Sequence, residues 1–440
     1  MGTFAPPWLP ADLRDYTDDI ARVLGAPDPG DVPDVVGGIT AAHEREVDLG
    51  SLVLYAGSNV MSPLARRALA TSVGSLPSMG PPGEKYQTGT RWIERLEVLT
   101  SMLARRVFDA GFAEVRLQSG SLANLAVYTA VAQPGDTIVV LPERAGGHTS
   151  HHAIGMPGIR GLRVVETPFD AERMNVDVEG LRDVVERERP KLVVAGASLM
   201  LFPHPVAEMA DVAHQARAKL LFDAAHVAGL VAGNRFQQPL HEGADVMTCS
   251  TYKSFGGPPG GLVVTNDAAL AEAVERAAYP GLTANYDASR LASLAIAEAE
   301  VLEFWSGYAE GCIANARTLA SALSARGVPV VSTDRGSTAS HHVALDADRL
   351  GGGGAVAARL AHARILSSAI GLPWDEPDAP PSGVRLGTQA VTRWGLGPDE
   401  MERVADLIAA VLVDDAPTDE IAADVRAMRR TFDRVGYCFG

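Results

Sequence analysis

The chain has 440 residues, 47% of them hydrophobic, with a formal net charge of −16 and a pI near 5.1, ample for a sizeable core and more than one domain. The acidic balance argues against nucleic acid or an anionic membrane as the main partner, and three scattered cysteines are too few for a disulfide framework. The first thirty residues hold neither a basic start before an apolar core nor a spanning segment, so a cytoplasmic protein is expected.

Residues 1–49 are polar and Pro-rich, with a short helical pattern at "ADLRDYTDDIARVLG", and read as an arm. "RWIERLEVLTSMLARRVFDA" carries apolar residues at helical spacing. Seven short runs follow: "AEVRLQSG", "DTIVVLPE", "LRVVETPF", "PKLVVAGAS", "AKLLFDAAH", "ADVMTCST" and "GGLVVTND". The inner ones are continuously apolar, as strands buried on both faces are. "VDVEGLRDVVERER" and "PVAEMADVAHQAR" supply crossover helices. The pattern predicts an α/β domain with a largely parallel sheet over residues 50–305. A helical stretch, "EAEVLEFWSGYAEGCIANARTLASALSARG", leads out of it. Beyond lie strands "VPVVST" and "HHVALDA", the loop "GGGGA", a helix, the strand "GVRLGTQAV" and a closing helix near 399–413. Together they predict a smaller α+β domain over residues 306–440.

Four lysines occur, and the other 34 of the 38 basic residues are arginine. Lys191 and Lys219 open apolar runs, whereas Lys253 follows one, in "STYKSFGGPPGG", at the strand end where α/β folds place their chemistry. A lysine there can form a Schiff base with an aldehyde cofactor, and pyridoxal phosphate (PLP) makes four further demands. A carboxylate must keep the ring nitrogen protonated, and Asp223 ends the run "LLFDAAHVAGL". Backbone N–H groups and hydroxyls at a helix start must hold phosphate, and Ser119, Gly120 and Ser121 open an apolar helix. An imidazole or aromatic ring should stack on the cofactor, and "AGGHTSHHAIG" offers His148, His151 and His152. A bidentate cation should bind a substrate carboxylate, and Arg385 in "SGVRLGTQAVTRWG" is flanked by small residues. Each residue alone also has an ordinary structural reading, as a cap, a turn or a surface charge. Their order and spacing together carry the signal.

From "LVLYAGSNVMSP" to "RLGTQAVTRWG", about three quarters of its length, the chain resembles serine hydroxymethyltransferase, a fold-type-I PLP enzyme. The most specific matches are "SGSLANLAVY", "AGGHTSHHA", "FDAAHVAGLVAG", "STYKSFGGPPGG" and "GVRLGTQAVTR". The resemblance implies that Lys253 holds PLP as a Schiff base, Asp223 faces the pyridinium and His148 stacks on the ring. It implies that Ser198 and His226 bond the ring hydroxyl region, and that Ser119 to Ser121 hold phosphate. Ser250 and Tyr252 would also line the cofactor, Gly281 would reach a neighbouring subunit's phosphate, and Ser58, Tyr86 and Arg385 would bind substrate. A homodimer or larger assembly with shared active sites is implied as well.

The departures from the family pattern bear on the reaction. Met79 stands where the family has its acid/base glutamate, and a methionine moves no proton. Pro77 and Gln87 replace tyrosines, while Tyr86 is kept; Glu84, five positions after Met79, is the nearest alternative carboxylate. Gly57-Ser58-Asn59 replaces a "SEN"-like motif, Pro259 an arginine and Tyr252 a histidine. Glu143 and Thr149 stand at apolar folate-contacting positions. These changes put tetrahydrofolate dependence in doubt. The expected reaction is reversible Cα–Cβ cleavage of a β-hydroxy-α-amino acid through a glycine quinonoid, as in an aldolase or transaldolase, with a small amino acid and an aldehyde as partners. Alternatives are a serine (or 2-methylserine) hydroxymethyltransferase, a PLP-dependent racemase or aminotransferase, and a non-catalytic PLP-binding protein. A metal site built from His148, His151, His152, His341 and His342 lacks any supporting HExxH motif or cysteine pair, and no metal is expected.

Overall fold

The computed structural model describes residues 4–440. One compact unit ends at Ser51, and a second runs from Leu52 to Gly440. The first holds two helices, Ala11–Leu24 and Val32–His43, and neither buries a residue. Only the first of them has a visible sequence pattern. Asp18 accepts hydrogen bonds from the Phe4 and Ala5 N–H groups at 2.7 and 2.8 Å, tying the entering chain to that helix.

The second unit contains strands β1 (Leu52–Val53), β2 (Phe112–Glu114), β3 (Thr137–Val140), β4 (Arg163–Glu166), β5 (Phe169–Asp170), β6 (Asn175–Val176) and β7 (Leu192–Ala195). It continues with β8 (Lys219–Asp223), β9 (Val246–Ser250), β10 (Gly261–Thr265), β11 (His342–Asp346), β12 (Ile365–Leu366), β13 (Ser368–Ile370) and β14 (Gly383–Gly387). Seven of these form one sheet in the order β2-β10-β9-β8-β7-β3-β4. Strands β9, β8, β7, β3 and β4 are parallel, and β10 runs antiparallel to both of its neighbours. Each of the seven expected runs supplies one of these strands.

Side chains alternate between two cores, as the two-residue period of a strand requires. Val139, Val193, Phe222 and Met247 pack on one face with helices Val178–Glu188 and Val206–Gln215. Ile138, Leu192, Leu221 and Val246 pack on the other with helix Gly120–Val131. Leu221 and Phe222 are fully buried, each contributing about 1.5–3 kcal/mol of transfer free energy.

A second, antiparallel sheet has the order β11-β14-β13. Val343, Leu345, Val384 and Leu386 face a separate core with Leu319 and Ile408. Leu52 and Leu54 join that same core, because β1 pairs with β12. Helix Ala288–Ala325 runs unbroken through position 305, the expected end of the large domain. Its first half packs Leu291, Leu294 and Val301 into the main core, and its second half packs Leu319 and Leu323 into the other. "VPVVST" forms only an isolated bridge, Val330 to Leu345, instead of the expected strand. Pro329 has no N–H to donate, and Ser332 at φ +59° turns the chain away. Among the described residues no helix is long and apolar enough to cross a membrane.

Candidate active site

Strand β9 ends at Ser250, and the next residues fold into a self-closing turn: Gly256 N–H donates to Lys253 O, and Gly257 N–H to Thr251 O. Ser254 ties that turn to the neighbouring segment by donating to His226 O and accepting from Gly229 N–H. Lys253 is thereby fixed and buried at the carboxyl end of the sheet, its Nζ 3.0 Å from His226 Nε2. Burial, helped by the charge of Arg385 and opposed by Asp223, lowers its pKa to about 8. At neutral pH about a tenth of the amine is therefore uncharged, far more than for an ordinary lysine.

Asp223 ends β8 on the same face as Leu221, the face covered by helix Gly120–Val131. It consequently meets Asn124 of that helix, whose Nδ2 donates at 2.8 Å. His151 Nε2 donates at 2.9 Å and the Ala225 N–H at 2.8 Å. Burial alone would raise the carboxyl pKa, but these donors override it and hold it at about 2. Tyr128, one helical turn after Asn124, hydrogen-bonds His151 Nδ1. Burial keeps the Tyr128 phenol protonated, so its O–H donates and the His151 proton sits on Nε2, facing Asp223. The Tyr128–His151–Asp223 chain was not foreseen. Its traces in the sequence are the four-residue spacing of Asn124 and Tyr128 and the proximity of His151 to His148.

Ser119 caps helix Gly120–Val131, its Oγ accepting from the Leu122 N–H at 3.1 Å. A Cβ on Gly120 would lie 2.5 Å from Ser250 Oγ, so a larger residue there would have to displace the Ser250 hydroxyl from its place at the strand end. All ten residues expected around the cofactor, other than Gly281, line one inner cavity of about 110 Å³: Ser119, Gly120, Ser121, His148, Ser198, Asp223, His226, Ser250, Tyr252 and Lys253. Ser198 Oγ and His226 Nδ1 are buried there without partners. A helix start for an anion, an anionic carboxylate for a ring nitrogen and a low-pKa lysine for an aldehyde make a donor set that suits PLP.

An outer cleft of about 630 Å³ shares His148, Ser198, His226, Tyr252 and Lys253 with that cavity and adds Arg385. Arg385 Nη1 donates to Ser198 O, Nη2 donates to Ser368 Oγ at 3.3 Å, and Nε has no partner. His148 sits where cavity and cleft meet, its Nδ1 2.8 Å from Ser150 Oγ; partial burial and then Lys253 lower its pKa. Glu143, with Thr149 donating to it at 3.2 Å, faces the cleft together with Glu166, Asp375, Glu376 and Asp378.

Three expected residues are not brought in by this chain. Ser58 bonds the Tyr55 carbonyl at 3.3 Å, and it is Tyr55 and Gly57 that line the cleft. Tyr86 is 81% exposed, and Gly281 lies in the turn Ala277–Leu282; neither lines the cavity or the cleft. Nor does Glu84, which is exposed on the loop that Tyr86 and Gln87 close by hydrogen bonds to the Met79 backbone. It does not replace the missing carboxylate within its own chain. Among the described residues no three His, Cys, Asp or Glu side chains are grouped to hold a metal.

Residues 33–408 match the family model for serine hydroxymethyltransferase. The chain belongs to the serine hydroxymethyltransferase family. It is therefore a PLP-dependent enzyme with the fold-type-I architecture. It is 45% identical to an alpha-methylserine aldolase of Variovorax paradoxus, over 98% of this chain and 97% of that one. A serine hydroxymethyltransferase of Methanopyrus kandleri is 43% identical over 93% of this chain and 96% of its own. Among solved structures, L-threonine transaldolase from Pseudomonas fluorescens in its internal aldimine state superposes with a TM-score of 0.85 at 25% identity, covering 98% of this chain and 96% of that one.

Proposed function

We propose that this enzyme cleaves the Cα–Cβ bond of a β-hydroxy-α-amino acid reversibly and without folate, releasing an aldehyde. The observation that carries the proposal is the opening of Lys253 and Arg385 onto one cleft, a covalent anchor beside a carboxylate fork. PLP, when bound, supplies the electron sink that loosens bonds at Cα. The protein's own groups do the rest. Lys253 would attach the cofactor, Ser119 to Ser121 with Ser250 would hold its phosphate, and Asp223 would keep the ring nitrogen protonated. His148 would lie against the ring, Ser198, His226 and Tyr252 would line its edge, and Arg385 would take the substrate carboxylate. The fixed His151 tautomer keeps Asp223 anionic and aimed.

Independence of folate is supported by Met79 in place of an acid/base group and by the acidic wall of the outer cleft, which disfavours a ligand ending in glutamate carboxylates. The names of the relatives in the aldolase branch make alpha-methylserine the first substrate to try. Loss of its hydroxymethyl carbon as formaldehyde leaves alanine. A second copy of the chain supplies Tyr86 and Gly281 to each site in this reading. The exposure of Tyr86, and of Trp92, Leu99 and Met102 on helix Arg91–Val107, supports it. A cytoplasmic location is part of the same reading, supported by three free thiols.

The test is aldehyde release from L-threonine by the PLP-loaded protein, with alanine run in parallel. Acetaldehyde without folate is expected. Pyruvate formation or α-proton exchange from alanine in its place would make the enzyme an aminotransferase or racemase. A Lys253-bound chromophore with no turnover would make it a binding protein.

A further inference from the structure

Behind Lys253 lie three buried imidazoles, of which the proposed function, on which this inference rests, uses one. Strand β11 pairs with β14 so that His342 faces Gly387 and Ala344 faces Arg385. The two-residue period therefore puts His342 and Arg385 on one face of that sheet, opposite Val343, Leu345, Val384 and Leu386. His342 is fully buried, with its ring 5.5 Å from that of His226 at 65° and 4.1 Å from that of His341. His226 in turn stands 3.0 Å from Lys253 Nζ.

The hydrogen-bond partners fix the protons. Burial, with the charge of Arg385 added, pushes the His226 and His342 pKa values well down and that of His341 to about 3. All three rings are neutral at neutral pH and carry one N–H each. The Met200 N–H donates to His342 Nδ1 at 3.2 Å, so the His342 proton is on Nε2. His342 Nε2 and His226 Nδ1 are both buried with no partner, in rings that touch. A fixed donor beside His226 favours a bare Nδ1 and a proton on His226 Nε2, the atom that faces Lys253. An N–H there can donate to an amine lone pair but not to an ammonium.

We propose that His342 is a positioning residue for the nucleophile: its fixed Nε2–H, lying against His226, keeps the His226 proton on Nε2 and so favours the neutral amine of Lys253, the form that attacks a carbonyl. The amine lone pair forms the C–N bond to the cofactor aldehyde, and the aldehyde oxygen leaves as water with the two amine hydrogens. Of the other charged or titratable groups facing this cluster, Asp223 favours the ammonium form of Lys253, Arg385 opposes it, and His148 and His341 are held neutral.

The experiment measures the rate at which PLP attaches to the cofactor-free full-length chain, by visible absorbance, across pH. The unsubstituted protein should reach half its limiting rate near pH 8. His342→Phe keeps an aromatic ring but removes the donor; it should move that midpoint toward about 9 and slow attachment at neutral pH roughly tenfold. His342→Gln, which restores an N–H donor, should return most of the shift. An unmoved midpoint in a folded His342→Phe protein would overturn the proposal. If that variant does not fold, His342→Leu, which also lacks a donor, decides: a midpoint near 9 supports the proposal and one near 8 overturns it. Equal attachment to Lys253→Ala would instead overturn the site reading beneath it.

Discussion

The inner cavity and the outer cleft share Lys253, Ser198 and His226, yet they handle charge in opposite ways. In the inner cavity Asp223 has three donors, and each comes from an element packed on the main sheet or its strand ends. In the outer cleft Arg144 reaches Glu166 at a long 3.5 Å, while Glu376 and Asp378 are exposed on a loop. Preorganised, desolvated groups suit a resident cofactor, whose chemistry needs fixed dipoles. A loosely paired acidic mouth suits the selection of a second substrate. On the proposed function, the difference locates selectivity in what enters the outer cleft, while the inner cavity keeps the groups that would hold the cofactor.

The comparison can be broken from the inside outward. Lys253→Ala should abolish covalent cofactor attachment and reduce aldehyde release by about 10⁴-fold or more, measured by absorbance and by product assay. Arg385→Lys loses the guanidinium fork and should raise KM for the amino acid about ten- to hundred-fold, with cofactor attachment kept. Asp223 has a folded-state pKa of about 2, below the 3.8 of a free aspartate, so its stabilising contribution is present above pH 4 and is lost as pH falls toward 2. Asp223→Asn should therefore flatten the acid end of the stability profile, read as thermal midpoint against pH. Tyr128→Phe leaves His151 Nδ1 without its donor and should cost about 0.5–1.5 kcal/mol of stability with a modest loss of rate. The smallest effect belongs to the cleft. Glu376→Gln with Asp378→Asn should raise kcat/KM for an anionic aldehyde such as glyoxylate about two- to threefold, and added salt should erase the gain.

Much of the inner cavity was legible because its residues sit at fixed offsets from continuous apolar runs. Lys253 follows β9, Asp223 ends β8 and Ser119 opens a helix after β2. The sheet then converges these points whatever lies between them. Residues recruited through tertiary packing were not legible: His342 owes its place to the β11–β14 register, and Tyr128 to which helix face covers β8. The bridge at Val330 shows the same limit, since a β-branched run was undone by one proline and one left-handed serine. Tyr86 and Gly281 were read from motif position, and a single chain does not bring them to the site.

The most direct measurement is formaldehyde release from alpha-methylserine by the PLP-loaded enzyme, with and without tetrahydrofolate. The account predicts formaldehyde and alanine in equal amounts at a rate that tetrahydrofolate does not change. Release that appears only when tetrahydrofolate is present would contradict it and return the enzyme to hydroxymethyl transfer.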